Sequence, residues 1–132
     1  MASIFTKIID RQIPAHIIAE DDKHIAFLDI NPLTKGHELA IPKKEIDYIY
    51  DLDDQDLSDL HIFAKKVAKG IQSTVSCERI GVTVMGLEVP HAHIHLIPMN
   101  DMDDMNFARP KMSFSQDAFA KIANEIASHI SL

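Results

Sequence analysis

The clearest alternation of polar and apolar positions in the chain lies in "PHAHIHLIP", residues 90–98. Successive side chains of a β-strand point to opposite faces, so a period of two predicts a strand with one imidazole face and one apolar face. The histidines are His91, His93 and His95, and the apolar residues between and after them are Ala92, Ile94 and Leu96. The apolar face is suited to a core, whereas the row of histidines needs a chemical explanation.

Three other segments carry apolar residues at helical spacing. They predict a short helix capped by Ser3, a long helix near 55–74 capped by Asp53 or Asp54, and a C-terminal helix opened by Ser115. Strands are predicted at about 16–20 and 24–29, in "HELAIP" up to Pro42, and in the β-rich runs "RIGVTVMG" and "AHIHLIP". Short strands with separate helices predict an α+β fold with an antiparallel sheet.

Composition narrows the class of protein. A chain of 132 residues with 46% hydrophobic residues fits one globular domain. No apolar stretch is long enough to span a membrane, and the N-terminus lacks a secretory pattern. Since Cys77 is the single cysteine, no internal disulfide forms, and we expect a cytoplasmic protein. The formal net charge of −7 argues against a nucleic-acid partner.

Three interpretations of the histidine row stay open on chemistry alone. It could be a polar outer strand face, a metal site, because imidazole is the commonest metal ligand, or a nucleophilic and acid–base centre. A histidine can attack phosphorus and form a covalent intermediate. A neighbouring imidazole can then handle the proton of the leaving group.

"HAHIHLI" resembles the signature of the HIT (histidine triad) family of nucleotide hydrolases and transferases. Residues 3–46, "SIFTKIIDRQIPAHIIAEDDKHIAFLDINPLTKGHELAIPKKEI", resemble the first half of the Hint branch, the histidine triad nucleotide-binding proteins. The resemblance implies one HIT domain over residues 1–132, with a sheet of about five strands and two main helices. It also implies a homodimer and no membrane partner.

The resemblance implies a role for each histidine. His93 would attack the α-phosphorus of a nucleoside phosphoramidate or related adenylate, giving a nucleotidyl-histidine that water hydrolyses. His95 would contact a phosphate oxygen and handle the leaving-group proton. His91 would orient His93 through its backbone carbonyl. His37, in "KGHELAIP", would join the relay.

The substrate implied by the family is a purine nucleotide. Asp29, in "FLDIN", matches the residue that accepts hydrogen bonds from the ribose hydroxyls. The positions expected to line the base pocket are Phe5, Ile8, Phe27, Ile30 and Leu39. Two alternatives are a dinucleoside polyphosphate hydrolase of the Fhit-like branch and a nucleotide-binding or scaffold protein with vestigial catalysis.

Two departures from the family pattern bear on the site. The segment "TVMGLEVPH" lacks the asparagine, glutamine and serine that usually contact phosphate, and it places Glu88 before the triad. Some bacterial relatives bind structural zinc at positions that correspond here to Ser3, Thr6, Glu45 and His91. This set is unsuited to tight zinc binding, so we expect no metal and no cofactor. The 100–113 loop is expected to shape the site.

Overall fold

A five-stranded antiparallel sheet organises the chain, which we describe over residues 2–132 in a computed structural model. The strand order is β1-β2-β3-β5-β4. The strands are β1 Ile17–Glu20, β2 His24–Leu28, β3 Glu38–Pro42, β4 Arg79–Thr83 and β5 Ile94–Met99. The helices are α1 Ile4–Ile9, α2 Asp54–Thr74 and α3 Gln116–Ala127, with 3₁₀ turns at Ile49–Asp51 and Met102–Met105. The predicted α+β fold with an antiparallel sheet and two main helices is confirmed.

Each helix begins at a side-chain cap that satisfies otherwise unpaired backbone donors. Ser3 accepts from the N–H of Thr6 at the start of α1, and Ser115 does the same for Ala118 in α3. Of the two aspartates proposed for α2, Asp53 is the cap. These caps explain why the helices start where the sequence predicted.

The main core lies between the sheet and the helices α2 and α3. Alternate residues of the central strands point to it, among them Ala40 of β3 and Ile94 and Leu96 of β5. Both helices supply their apolar stripes, which include Leu60 and Ile126. The predicted apolar face of "AHIHLIP" is therefore a core face, and it fixes the opposite face as the location of the histidines.

A second, smaller cluster covers the opposite face of the sheet and is closed by α1. Its buried members are Phe5, Ile8, Ile25, Phe27, Leu39 and Ile41. The rings of Phe5 and Phe27 meet edge-on with centroids 5.5 Å apart. The short helix α1 therefore packs beside the histidines and forms one wall of their surroundings.

The predicted strand at "AHIHLIP" begins later than the alternation indicated. Strand β5 starts at Ile94, where pairing with Ala40 of β3 ends. Before that point, the N–H of Ala92 donates to Ile46 O at 2.7 Å and the N–H of His91 donates to Val89 O at 2.8 Å. Two of the three histidines therefore precede the strand, because their backbone segment bonds to loops rather than to β3.

Glu38 is an unusual member of the interior. It lies on β3 between Leu28 of β2 and Leu96 of β5, and it is 0% exposed. Neither carboxyl oxygen has a hydrogen-bond partner among the described residues. Burial raises the pKa of Glu38 well above its usual value of 4.5. The core thus contains a carboxyl group that no neighbour satisfies.

Candidate active site

The four sequence-predicted catalytic histidines lie together and are buried. The ring centroids of His93 and His95 are 5.1 Å apart, and those of His37 and His95 are 5.2 Å apart. His95 lies on the central strand β5 opposite Leu39 of β3, and His37 immediately precedes β3. The antiparallel pairing of these strands brings His37 to the triad despite 58 positions of sequence separation.

The position of the proton on His93 follows from its partner. The Nδ1 atom of His93 lies 2.7 Å from the backbone carbonyl oxygen of His91. A carbonyl oxygen only accepts, so Nδ1 carries the hydrogen. In the neutral ring, Nε2 then has a free lone pair. His93 therefore presents the nitrogen that a nucleophile requires.

A second run of hydrogen bonds fixes the tautomers of His37 and His95. The N–H of Leu33 donates to His37 Nδ1 at 3.0 Å, so the neutral His37 ring carries its proton on Nε2. This Nε2 lies 2.9 Å from His95 Nδ1 and donates to it. His95 consequently carries its own proton on Nε2. The backbone amide of Leu33 thus determines which nitrogen carries the proton in both His37 and His95.

Burial keeps this pair neutral. It lowers the pKa of His37 to about 4, against a partial opposing effect of the Asp29 carboxylate. Burial, together with the neighbouring His37 and His93, lowers the pKa of His95 to about 3. Both imidazoles are therefore uncharged at neutral pH in the free protein. An anion that binds beside His95 would favour its protonated form.

Asp29, His37 and His95 are close enough to be considered as metal ligands, with donor atoms within 4.8 Å of one another. Their hydrogen bonds do not fit that use. The Leu33 N–H places the His37 proton on Nε2, the nitrogen that faces the other two residues. A metal ligand must offer a bare nitrogen, so His37 would have to give up its bond to Leu33. The arrangement fits a proton relay better than a metal centre.

Asp29 directly follows strand β2 and lies beside His37. Its Oδ1 accepts from the N–H of Asn31 at 2.8 Å, and its Oδ2 lies 3.5 Å from His37 Nε2. Its side chain is 19% exposed. The carboxylate opens on a cleft of about 270 Å³ that it lines together with Asn31, Met85, Leu87, Glu88, His95, Phe107 and Lys111. A ligand bound by Asp29 would therefore also meet His95.

The structure brings four of the five expected base-pocket residues together. Phe5, Ile8, Phe27 and Leu39 belong to the apolar cluster under α1. The Phe5 ring meets the His93 ring edge-on, with centroids 5.1 Å apart. Ile30 is not part of this cluster, and 62% of it is exposed. The apolar cluster therefore adjoins His93, and Ile30 lies at the surface next to Asp29 in the chain.

The 100–113 loop contributes two residues that sequence reasoning did not single out. The Phe107 ring lies 5.1 Å from the His95 ring, and Lys111 lines the cleft with Glu88. Arg109 Nη2 donates to Leu33 O at 2.7 Å and thereby fixes this loop beside His37 and His95. The sequence marked the loop as a candidate for shaping the site, but no spacing or motif within it pointed to these side chains.

The four positions that correspond to a zinc site in some relatives also meet here. Ser3 Oγ lies 2.8 Å from His91 Nδ1, and Thr6 Oγ1 donates to Glu45 Oε1 at 2.6 Å. Ser3 also donates its backbone N–H to the same carboxylate oxygen at 2.6 Å. The cluster is held by hydrogen bonds between residues that are separated by up to 88 positions.

Comparison with known proteins identifies the family. The HIT domain model matches residues 10–102. Adenosine 5'-monophosphoramidase of Schizosaccharomyces pombe is 33% identical over 132 residues, which cover 98% of this chain and 99% of that protein. The enzyme of the same name from Saccharomyces cerevisiae is 39% identical over 101 residues, covering 76% of this chain and 64% of that protein.

A solved structure agrees with this similarity. The crystal structure of a HIT-like protein involved in cell-cycle regulation from Bartonella henselae superposes with a TM-score of 0.83 at 28% identity. The match covers 97% of this chain and 96% of that chain. Among residues 2–132, no helix combines the length and apolarity needed to cross a membrane.

Proposed function

Because the chain belongs to the HIT family, we propose that it is a nucleotidyl hydrolase that cleaves purine nucleoside phosphoramidates or related adenylates through a nucleotidyl-His93 intermediate. One observation carries the proposal most directly. The bond from His93 Nδ1–H to His91 O leaves the Nε2 lone pair of His93 free, and the His95 ring, which carries its proton on Nε2, lies with its centroid 5.1 Å from that of His93. Nucleophile and proton donor are thus positioned before substrate arrives.

The first chemical step uses both nitrogens. His93 Nε2 attacks the α-phosphorus, and the bond between phosphorus and the amine nitrogen breaks. In the substrate complex, the negative charge of the bound phosphate favours the imidazolium form of His95, which has taken one proton from solvent. This imidazolium gives its Nε2 proton to the departing nitrogen and is left neutral with a bare Nε2. The imidazolium formed on His93 keeps its Nδ1–H bond to the carbonyl of His91, which stabilises the positive charge.

The second step reverses the roles. Water attacks the same phosphorus while His95 Nε2 takes one of its protons. The bond between phosphorus and His93 breaks, which releases the nucleoside monophosphate and restores the neutral His93. His95 is then the imidazolium again, and it returns its extra proton to solvent as the product leaves, which restores the 2.9 Å bond from His37 Nε2–H to His95 Nδ1.

The charges of the cleft favour an amine leaving group over a polyphosphate. Glu88 lines the cleft beside His95 and would repel additional phosphate groups. Lys111 lines the same cleft and supplies a cation for a single phosphate. These contacts support phosphoramidate cleavage over dinucleoside polyphosphate hydrolysis. The scaffold interpretation differs from both, since it requires nucleotide binding without a covalent intermediate.

The test is hydrolysis of an adenosine phosphoramidate, compared with hydrolysis of a dinucleoside polyphosphate. We expect release of adenosine monophosphate from the former at a higher kcat/KM. Mass spectrometry of acid-quenched protein should detect an adenylyl adduct on His93. Nucleotide binding by a folded protein without turnover and without an adduct would favour the scaffold function.

We further propose that residues 1–132 act as one HIT domain that pairs as a homodimer. Strand β4 forms an edge of the sheet and exposes Val82, which adjoins His61 and Lys65 of helix α2. An unpaired edge strand with apolar side chains is suited to pairing with a second copy. Light scattering after size-exclusion chromatography would measure the mass, and a monomer at micromolar concentration would contradict this assembly.

A further inference from the structure

We propose that Ser3 and Glu45 are positioning residues that orient His93 through His91 and through helix α1. The proposal rests on the hydrolase function proposed above. Neither residue reaches the nucleophile itself. Their hydrogen bonds instead connect the start of α1, the loop after β3 and the first histidine of the triad.

Glu45 holds the beginning of α1. Its Oε1 accepts from the backbone N–H of Ser3 and from Thr6 Oγ1–H, each at 2.6 Å. The hydrogen bond from the Ser3 backbone is the main cause that lowers the pKa of Glu45 to about 2, so the carboxylate is ionised at neutral pH. A helix of six residues has little stability of its own. It therefore depends on such contacts for its position.

Ser3 continues the connection to His91. The Nε2 atom of His91 lies 2.8 Å from Pro42 O, which only accepts, so this nitrogen carries the ring proton. The Nδ1 atom is then bare and accepts from Ser3 Oγ–H at 2.8 Å. Bonds on both ring nitrogens hold a side chain that is 0% exposed. The backbone carbonyl of the same residue receives the Nδ1–H of His93.

The same connection determines where α1 places Phe5. The Phe5 ring meets His93 edge-on at 5.1 Å and His91 at 5.8 Å. A shift of α1 would therefore move the apolar wall against the nucleophile as well as the imidazole that orients it. Both consequences affect the chemical step more than the initial binding of a nucleotide in the open cleft.

The experiment uses the full-length protein and two substitutions, Ser3→Ala and Glu45→Gln. Ser3→Ala should lower kcat for an adenosine phosphoramidate roughly tenfold, the effect of one lost buried hydrogen bond, with a much smaller change in KM. Glu45→Gln should lower kcat less, because the bonds of Glu45 to Ser3 and Thr6 lie closer to the surface. Ser3→Thr keeps the hydroxyl and the helix cap and should restore most of the activity. Asp56→Asn removes a half-buried carboxylate that pairs with Lys44 and is the matched control. Circular dichroism checks the fold of each variant.

Histidine-ring nitrogen NMR tests the positioning without relying on turnover. In the wild type, we expect the proton of His91 on Nε2 and that of His93 on Nδ1. Ser3→Ala and Glu45→Gln should mix the tautomers of His93. Unchanged kcat together with unchanged tautomers in both folded variants would overturn the proposal. If the wild type fails to hydrolyse the phosphoramidate, the hydrolase function is wrong, and the NMR result alone decides the positioning role.

Discussion

Replacing the buried Glu38 with leucine should stabilise the protein. The wild-type carboxyl lies between Leu28 and Leu96 of the neighbouring strands, and its two oxygens have no partner among residues 2–132. An unsatisfied buried polar group costs about 1–3 kcal/mol of stability. Leucine is similar in volume and needs no hydrogen bond. Glu38→Leu should therefore recover most of that cost at any pH.

The buried carboxyl also makes a pH-dependent contribution to the free energy of unfolding, and its raised pKa determines whether stability rises or falls with pH. The folded-state pKa of Glu38 lies well above the usual 4.5, so the folded protein retains a proton that the unfolded chain loses. The stability linked to this proton is fully present below pH 4.5 and is lost as the pH rises to the folded-state pKa. The loss is about 1.4 kcal/mol per pH unit within that window. Over the same pH window, the difference in free energy of unfolding between Glu38→Leu and the wild type should widen by the same amount per pH unit.

Glu38→Gln separates the two contributions. Glutamine cannot ionise, so it removes the pH-dependent part, but it still buries an unpartnered polar group. Urea unfolding of the three proteins between pH 4.5 and 8 should give a free energy of unfolding that is highest for the leucine variant. The difference between the leucine and glutamine variants should be independent of pH.

Two results would refute this reasoning. If the wild type and Glu38→Gln show parallel stability across the pH range, the carboxyl is hydrated or paired in the folded protein. If Glu38→Leu is no more stable than Glu38→Gln, the site does not accommodate an apolar side chain.

Three further predictions concern the histidine site. His93→Ala should lower kcat/KM for the phosphoramidate by roughly 10⁴-fold or more and abolish the mass-spectrometric adduct, while nucleotide affinity by calorimetry persists. Lys111→Ala should raise KM about fivefold, which corresponds to a loss of about 1 kcal/mol of binding free energy. Lys66→Ala, which removes an exposed lysine of α2, should leave KM unchanged. An equal rise in KM for both variants would contradict a contact between Lys111 and phosphate. NMR of the ring nitrogens should show His37 and His95 neutral from pH 7 down to 5, because burial lowers their pKa values to about 4 and about 3. A titration of either ring near pH 6.5 would contradict this effect of burial. Because their pKa values are depressed in the folded state, stability should fall as the pH drops from 6.5 towards these values.

Periodicity predicted which faces of the sheet are apolar, because burial acts on every second residue of a strand. Ala92, Ile94 and Leu96 all lie in the main core, as expected. The same pattern could not show where the strand begins. Backbone pairing depends on the partner, and Ala92 donates to Ile46 O in a loop outside the sheet. Side-chain alternation therefore extends beyond the hydrogen-bonded strand.

The histidines were recognisable from their spacing and from the family resemblance, whereas their tautomers were not. The proton on His37 is placed by the backbone N–H of Leu33, a group that every residue type except proline supplies. Phe107 reaches His95 because Arg109 fixes its loop to Leu33 O. Such contacts arise from tertiary packing and leave no mark on local composition.

The tautomers of the four site histidines should make one of them react with acylating reagents before the others. Among the four histidines of the site, the bare ring nitrogens of His37, His91 and His95 each accept a hydrogen bond, whereas no described residue engages Nε2 of His93. A small electrophile such as diethyl pyrocarbonate should therefore modify His93 before the other three. Protection by bound nucleotide would make the extent of this modification a measure of how much of the site is occupied.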